Sequence, residues 1–196
     1  AFADIVKAEP DNTAVVFKDR KYTYKELDEI SDRLGKHILS MGIGKEDVVA
    51  ILIPRCEFMA IAPFGVIKAG AAYQPHDPTY PKDRLMYMLE DSSAKLLIAD
   101  RELLPLVDGF KGKVLFMQLE DKNIELKKPG LHDLFILLYT SGSTGVPKGC
   151  MLEYGNITAF CHWYKKYYDV DYNTKLAAYA SFGFDASMMD IYGALA

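Results

Sequence analysis

"VVAILI", Val48 to Ile53, constrains this chain more than any other stretch. A strand with one face in water alternates apolar and polar residues, because successive side chains point to opposite faces. Six apolar residues in a row leave no face for water. Both faces must therefore be covered, as in a strand of a parallel sheet layered by helices. "LFILLY" (Leu134 to Tyr139) reads as a second buried strand. Further strands are predicted at Ala14 to Phe17, Ala71 to Tyr73, Lys95 to Ala99, Val114 to Met117 and Lys175 to Ala180.

Helical patterns separate these runs. "KDRK" (Lys18 to Lys21) reads as a polar turn, and Thr23 with Glu26 forms a capping-box pattern. The helix it opens puts Leu27, Ile30, Leu34, Ile38 and Met41 on one face, and Gly42 ends it. A helix from Glu57 to Lys68 contains Pro63, which predicts a kink or a late start. Another opens near Pro81. Later, Ile157, Phe160, Cys161, Tyr164 and Tyr168 share one helical face, and Asp185 is placed to cap a final helix. Alternation of this kind requires crossover connections, so the fold class is α/β, a mainly parallel sheet covered by helices.

Composition removes several functions. The chain has 196 residues and a formal net charge of -4, without the basic excess of a nucleic-acid-binding surface. The basic aromatic run "HWYKKYY" (His162 to Tyr168) reads as the end of a solvated helix. Cys56, Cys150 and Cys161 lack metal or redox spacing, and His37, His76, His132 and His162 are scattered, so no metal ligand is assigned. The cysteine usage fits a reducing cytoplasm. Phe58 to Ile67 is too short to cross a membrane, and the first residues do not read as a secretory signal. Both ends read as cut, since the chain starts without Met and stops inside the apolar pattern "IYGALA".

The chemistry concentrates in "LLYTSGSTGVPKGC" (Leu137 to Cys150). A strand that ends in a glycine-rich loop offers backbone N–H groups as a concave nest for phosphate oxygens. Gly142, Gly145 and Gly149 permit close approach, Thr140, Ser141, Ser143 and Thr144 add hydroxyl donors, and Lys148 adds positive charge. Each charge-assisted hydrogen bond to phosphate contributes roughly 1.5–3 kcal/mol. The G-x-x-x-x-G-K-[ST] loop does not fit, because Pro147 stands where its second glycine belongs and Gly149 replaces its magnesium-binding hydroxyl. Residues 141 to 145 are expected to form a loop that moves when no nucleotide is bound, having little apolar area to hold it.

"YTSGSTGVPKG" (Tyr139 to Gly149) closely resembles the phosphate-loop signature of the adenylate-forming enzymes. Three more stretches are similar to motifs of that superfamily in the same order: "YTYKEL" from Tyr22, "IKAGAAYQPHDP" from Ile67 and "FDAS" from Phe184. The resemblance covers essentially the whole chain. It departs at Gln74 and His76, where aliphatic residues are usual, and at Pro63. It implies part of the large N-terminal subdomain of such an enzyme, with residues 1–196 an incomplete N-terminal portion of an adenylation domain and the rest beyond Ala196. It implies ATP phosphate binding by Thr140, Ser141, Gly142, Ser143, Thr144, Gly145 and Lys148. The catalytic lysine and the Mg2+-linked glutamate are expected beyond Ala196, so no catalytic residue is assigned and the chain alone is expected to be inactive.

The branch is indicated by "FGFDASMMDIYG". In amino-acid-activating members the aspartate matching Asp185 is expected to bind the substrate's α-ammonium group, and Ala186 and Met189 match positions lining the side-chain pocket. Asp is also a favoured N-cap, and both roles can hold. The resemblance is greatest to the amino-acid adenylation domain of a nonribosomal peptide synthetase. It implies an aminoacyl-adenylate passed to the phosphopantetheine thiol of a carrier protein, with neither nucleic acid nor membrane as partner. A D-alanine–carrier protein ligase, an acyl- or aryl-CoA ligase and a noncatalytic nucleotide-binding or structural domain remain alternatives.

Overall fold

A six-stranded sheet of order β6-β5-β3-β4-β7-β8 organises the computed structural model, which describes residues 2–141, 145–171 and 173–195. Its centre is β3 (Val48–Leu52), flanked in parallel by β4 (Ala72–His76) and β5 (Leu96–Ala99). β6 (Lys113–Leu115) extends the sheet beside β5, and β7 (Leu134–Ser141) lies parallel to β4. The last strand, β8 (Pro147–Glu153), runs antiparallel to β7. Every residue of β3, β4 and β5 is buried. The uniform apolar run at Val48 to Ile53 thus has the cause expected of it: Val49 and Ile51 enter one core cluster, and Ala50 and Leu52 the other.

Each cluster has its own helical cover. On one face lie α2 (Tyr24–Ser40), α3 (Phe58–Lys68), α5 (Tyr154–Tyr168) and α6 (Ala186–Leu195). On the other lie α4 (Lys82–Asp91) and a 3₁₀ helix, Arg101–Val107. The capping box at Thr23 forms as the sequence predicts: its side chain accepts from Glu26 N at 3.2 Å, and Glu26 accepts from Thr23 N at 2.8 Å. Helices α2 and α3 meet at two glycines. A Cβ on Gly65 would lie 2.4 Å from a Leu34 methyl, so this approach requires glycine. Beside it, Lys68 pairs with Asp28 and Asp32 at 2.6 and 2.5 Å.

A separate antiparallel hairpin, β1 (Thr13–Phe17) and β2 (Arg20–Thr23), follows the short helix α1 (Phe2–Ala8). Arg20 and Tyr22 fasten it by converging on the buried carboxylate of Glu57.

Several boundaries differ from the sequence expectations. The polar turn at Lys18 to Lys21 is shorter, because Arg20 and Lys21 pair within the hairpin. The strand expected at Ala71 to Tyr73 runs on to His76, through Gln74 and Pro75. Gln74 is tolerated because its amide donates to Met88 O at 3.0 Å and accepts from Ser92 Oγ at 2.8 Å. The strand expected over Val114 to Met117 is Lys113–Leu115. Pro63 sits inside α3, which starts at Phe58 rather than late. Lys175 to Ala180 is not a strand: it is apolar enough, but no described strand pairs with it. Of the residues that share one face of α5, Ile157 and Tyr164 are buried, and Tyr168 is 52% exposed at the helix end that the sequence reads as solvated.

Candidate functional site

The first candidate element is the hairpin at the end of β7. Between the glycine motif and the helix that carries Ile157 lies a strand, β8, that the sequence pattern does not predict. Thr140 pairs with Lys148 and Ser141 with Pro147, so the motif is the tip of an antiparallel hairpin. Ser141 therefore belongs to the strand rather than the loop. Gly142, Ser143 and Thr144 lie outside the described residues. Gly145, at φ +81°, adopts the left-handed conformation that favours glycine, with open space where a Cβ would be. Thr140, Ser141 and Lys148 are exposed, and Lys148 forms no ion pair among the described residues.

The base of this hairpin is anchored. Leu137 and Leu138 are buried, and the Tyr139 hydroxyl donates to Asp91 Oδ2 of α4 at 2.6 Å. Burial, reinforced by Asp91, pushes the Tyr139 phenol well above its ordinary range. Gly149 faces back across the ladder, where a Cβ would come within 3.1 Å of Leu137 and 3.4 Å of Tyr139. A buried strand therefore carries the exposed residues Thr140 and Ser141, across from Lys148.

The second element is the turn at Ser181 to Asp185, which opens α6. Phe184 N bonds to Ser181 O at 3.0 Å, and the Ser187 hydroxyl donates to Phe182 O at 3.1 Å and to Phe184 O at 2.7 Å. Phe182 is buried and stacks on Tyr73 of β4, with centroids 6.5 Å apart. Asp185 accepts from Met188 N through its backbone carbonyl at 2.9 Å, and its exposed carboxylate takes no hydrogen bond among the described residues. The side-chain cap expected of Asp185 is thus not formed here. Ala186 is exposed and Met189 half-buried, three residues apart on one face of α6.

These two elements share one edge of the sheet. β4 and β7 are parallel neighbours, so their carboxyl ends emerge side by side, where open α/β sheets hold ligands. Asp77, just past β4, accepts from the Ser181 hydroxyl and, at 2.9 and 2.7 Å, from the backbone and hydroxyl of Thr79. Although burial works against it, the donors Ser181 and Thr79 hold the Asp77 carboxyl below its ordinary range. Tyr80 packs against Gly183 so closely that a Cβ there would lie 2.8 Å from its hydroxyl. His76 ends β4, 1% exposed, with neither ring nitrogen hydrogen-bonded. Burial pushes its imidazole down to about 3.

Sequence reasoning missed Asp77, Tyr80, Ser181 and Arg55. The Asp-Pro-Thr run at Asp77 carried an Asx-turn signal. Nothing local marks Arg55, whose partners lie more than 120 residues away.

A family model described as "AMP-binding enzyme" matches residues 2–196. Bacitracin synthase 1 of Bacillus licheniformis is 35% identical over 97% of this chain, which spans 4% of that protein. Gramicidin S synthase 2 of Brevibacillus brevis is 36% identical over 99% of the chain, again 4% of its length. Among solved structures, the N-terminal subdomain of Klebsiella oxytoca NpsA superposes over 99% of this chain and 51% of its own, with TM-score 0.83 and 27% identity. That subdomain has also been solved in complex with 3-hydroxyanthranilyl-AMSN. The nonribosomal peptide synthetase FmoA3 superposes with TM-score 0.90 and 26% identity, over 99% of this chain and 21% of its own. The chain belongs to the AMP-binding enzyme family, as part of the N-terminal subdomain of an adenylate-forming enzyme of the nonribosomal peptide synthetase kind.

Proposed function

We propose that the protein carrying this chain activates an amino acid with ATP and passes the aminoacyl group to the phosphopantetheine thiol of a carrier protein. One observation supports this most: the hairpin continues β7, and the Asp185 turn is tied through Ser181 to Asp77 at the end of β4, the parallel neighbour of β7. An amino acid's carboxylate and ammonium groups lie one carbon apart, so its activation needs a phosphate site beside an ammonium site. The substrate carboxylate oxygen attacks the α-phosphorus, the bond to the bridging oxygen breaks, and pyrophosphate leaves. The thiol then attacks the acyl carbon and AMP departs.

In this reading Thr140, Ser141 and Lys148, with Gly142 to Gly145, hold the β- and γ-phosphates through preorganised donors. Asp185 pairs with the α-ammonium group, and Ala186 and Met189 line the side-chain pocket. Both pocket residues are uncharged, which suits an uncharged substrate side chain. Among the described residues no three His, Cys, Asp or Glu side chains could hold a metal ion. In this reading the Mg2+-linked glutamate lies outside residues 1–196, and no step here runs through the ion. The catalytic lysine is also placed outside residues 1–196, so these residues alone bind phosphates but do not form the adenylate. We place the protein in the cytoplasm, where ATP is available; no described helix is long and apolar enough to cross a membrane.

Asp185→Ala in the complete adenylation domain tests the reading. Once bound substrate covers the Asp185 carboxylate, which is exposed in the free chain, removing one partner of the charge pair costs about 2–5 kcal/mol, some thirty-fold to several thousand-fold in affinity. Amino-acid-dependent pyrophosphate exchange should show that loss in the amino acid's KM or kcat/KM while the ATP KM holds. An unaltered amino-acid KM and kcat would remove Asp185 from recognition and the amino-acid branch with it.

A further inference from the structure

We infer that Arg55 and Asp190 clamp residues 178–180 and so position Asp185, a role that rests on the amino-acid reading above. The segment entering the Asp185 turn has no strand ladder, yet its backbone is satisfied in order by side chains. The Arg55 guanidinium donates to Ala178 O, to Tyr179 O at 3.1 Å and to Ala180 O at 2.8 Å. From the other side, Asp190 Oδ2 accepts from Tyr179 N and Ala180 N, both at 2.9 Å. Asp77 then takes the Ser181 hydroxyl. Apolar packing does not hold this stretch, since Ala178 is exposed and Tyr179 is 90% exposed.

The anchors come from different parts of the fold. Arg55 follows β3, Asp77 follows β4, and Asp190 lies on α6, five residues past Asp185. Downstream, the turn cannot slide, because Phe182 is buried against Tyr73 and Gly183 abuts Tyr80. The clamp sets the turn's upstream end relative to the sheet edge that also carries the hairpin tip. A planar fork that reaches three successive carbonyls suits Arg and not Lys, whose ammonium is a point charge on a flexible stem. Arg55 and Asp190 touch no reacting atom in this scheme; they are positioning residues.

The experiment uses the complete adenylation domain containing residues 1–196, with pyrophosphate exchange and hydrogen–deuterium exchange measured on the same samples. Arg55→Met should raise the amino-acid KM about three- to thirty-fold while the ATP KM stays within about twofold. The amides of Tyr179 and Ala180 should exchange faster, and Arg55→Lys should fall between Met and the parent. Asp190→Ala should reproduce the pattern from the opposite side, which keeps the test intact if one variant folds poorly. An unchanged amino-acid KM in both variants, or equal rises in both KM values, would overturn the clamp. Asp185→Ala separates the two ideas. If it raises the amino-acid KM while the clamp variants do not, only the clamp fails; if it has no effect, the amino-acid reading fails and the clamp's role fails with it.

Discussion

Between Val48 and Ala99, three parallel strands are buried along their whole length, whereas between Lys175 and Asp185 the chain has no ladder and is held by side chains. Both stretches are rich in apolar residues, yet they spend them differently. The first places them in two cores, one on each face of the sheet. The second leaves Tyr179 and Phe184 largely in solvent and keeps its shape through Arg55, Asp77 and Asp190. Packing gives stiffness that a single substitution lowers only by loss of stability. Polar ties give a position that a single substitution can release while the fold survives.

The comparison breaks most readily at Leu97, fully buried on β5 under α4. Leu97→Ala should cost about 2–5 kcal/mol of stability, from lost burial and the cavity left behind. Urea denaturation measures it. A cost below about 1 kcal/mol would mean that the α4 layer collapses to refill the space, and the central strands would not be the rigid half.

His76 sharpens the contrast by placing a titratable group in the packed half. Its imidazole is held down to about 3 by burial, against 6.5 in an unfolded chain. Below pH 6.5 the unfolded chain therefore binds the proton that the folded chain refuses. Its contribution is fully present above 6.5 and falls as the pH drops towards 3, by about 1 kcal/mol per pH unit. His76→Leu should flatten the fall in melting temperature between pH 6.5 and 5, before most carboxylates titrate. An equally steep profile in the variant would show that some other group carries the acid sensitivity.

The smallest effect is expected where Tyr139 ties the base of the hairpin to Asp91 in the packed region. Tyr139→Phe removes that bond while keeping the ring, and should cost about 1 kcal/mol of stability. Isothermal titration with ATP reads the other half of the question. Unchanged affinity would mean that the buried ladder of β7 alone aims the tip; weaker binding would make the Asp91 tie part of the phosphate site.

Much of the fold was legible in the residues because its causes are local. Uniform apolar runs marked β3 and β7, and Thr23 with Glu26 marked the start of α2 to the residue. The glycine and hydroxyl motif was legible too, but its setting was not. "VPKGC" carries no strong strand pattern, and it pairs only because β7 offers it an antiparallel edge. Lys175 to Ala180 erred in the opposite sense, with a strand's composition and no strand beside it.

The sequence by itself determined the sheet's double burial, the main helices and the family, and it carries the motifs on which the proposed phosphate and substrate sites rest. Each of these follows from periodicity or from a contiguous motif. Tertiary structure decided that the hairpin tip and the Asp185 turn share one sheet edge, and that Arg55, Asp77 and Asp190 hold the second of them. Those contacts join residues up to 125 positions apart, and only the order in which strands pair can bring them within hydrogen-bonding distance.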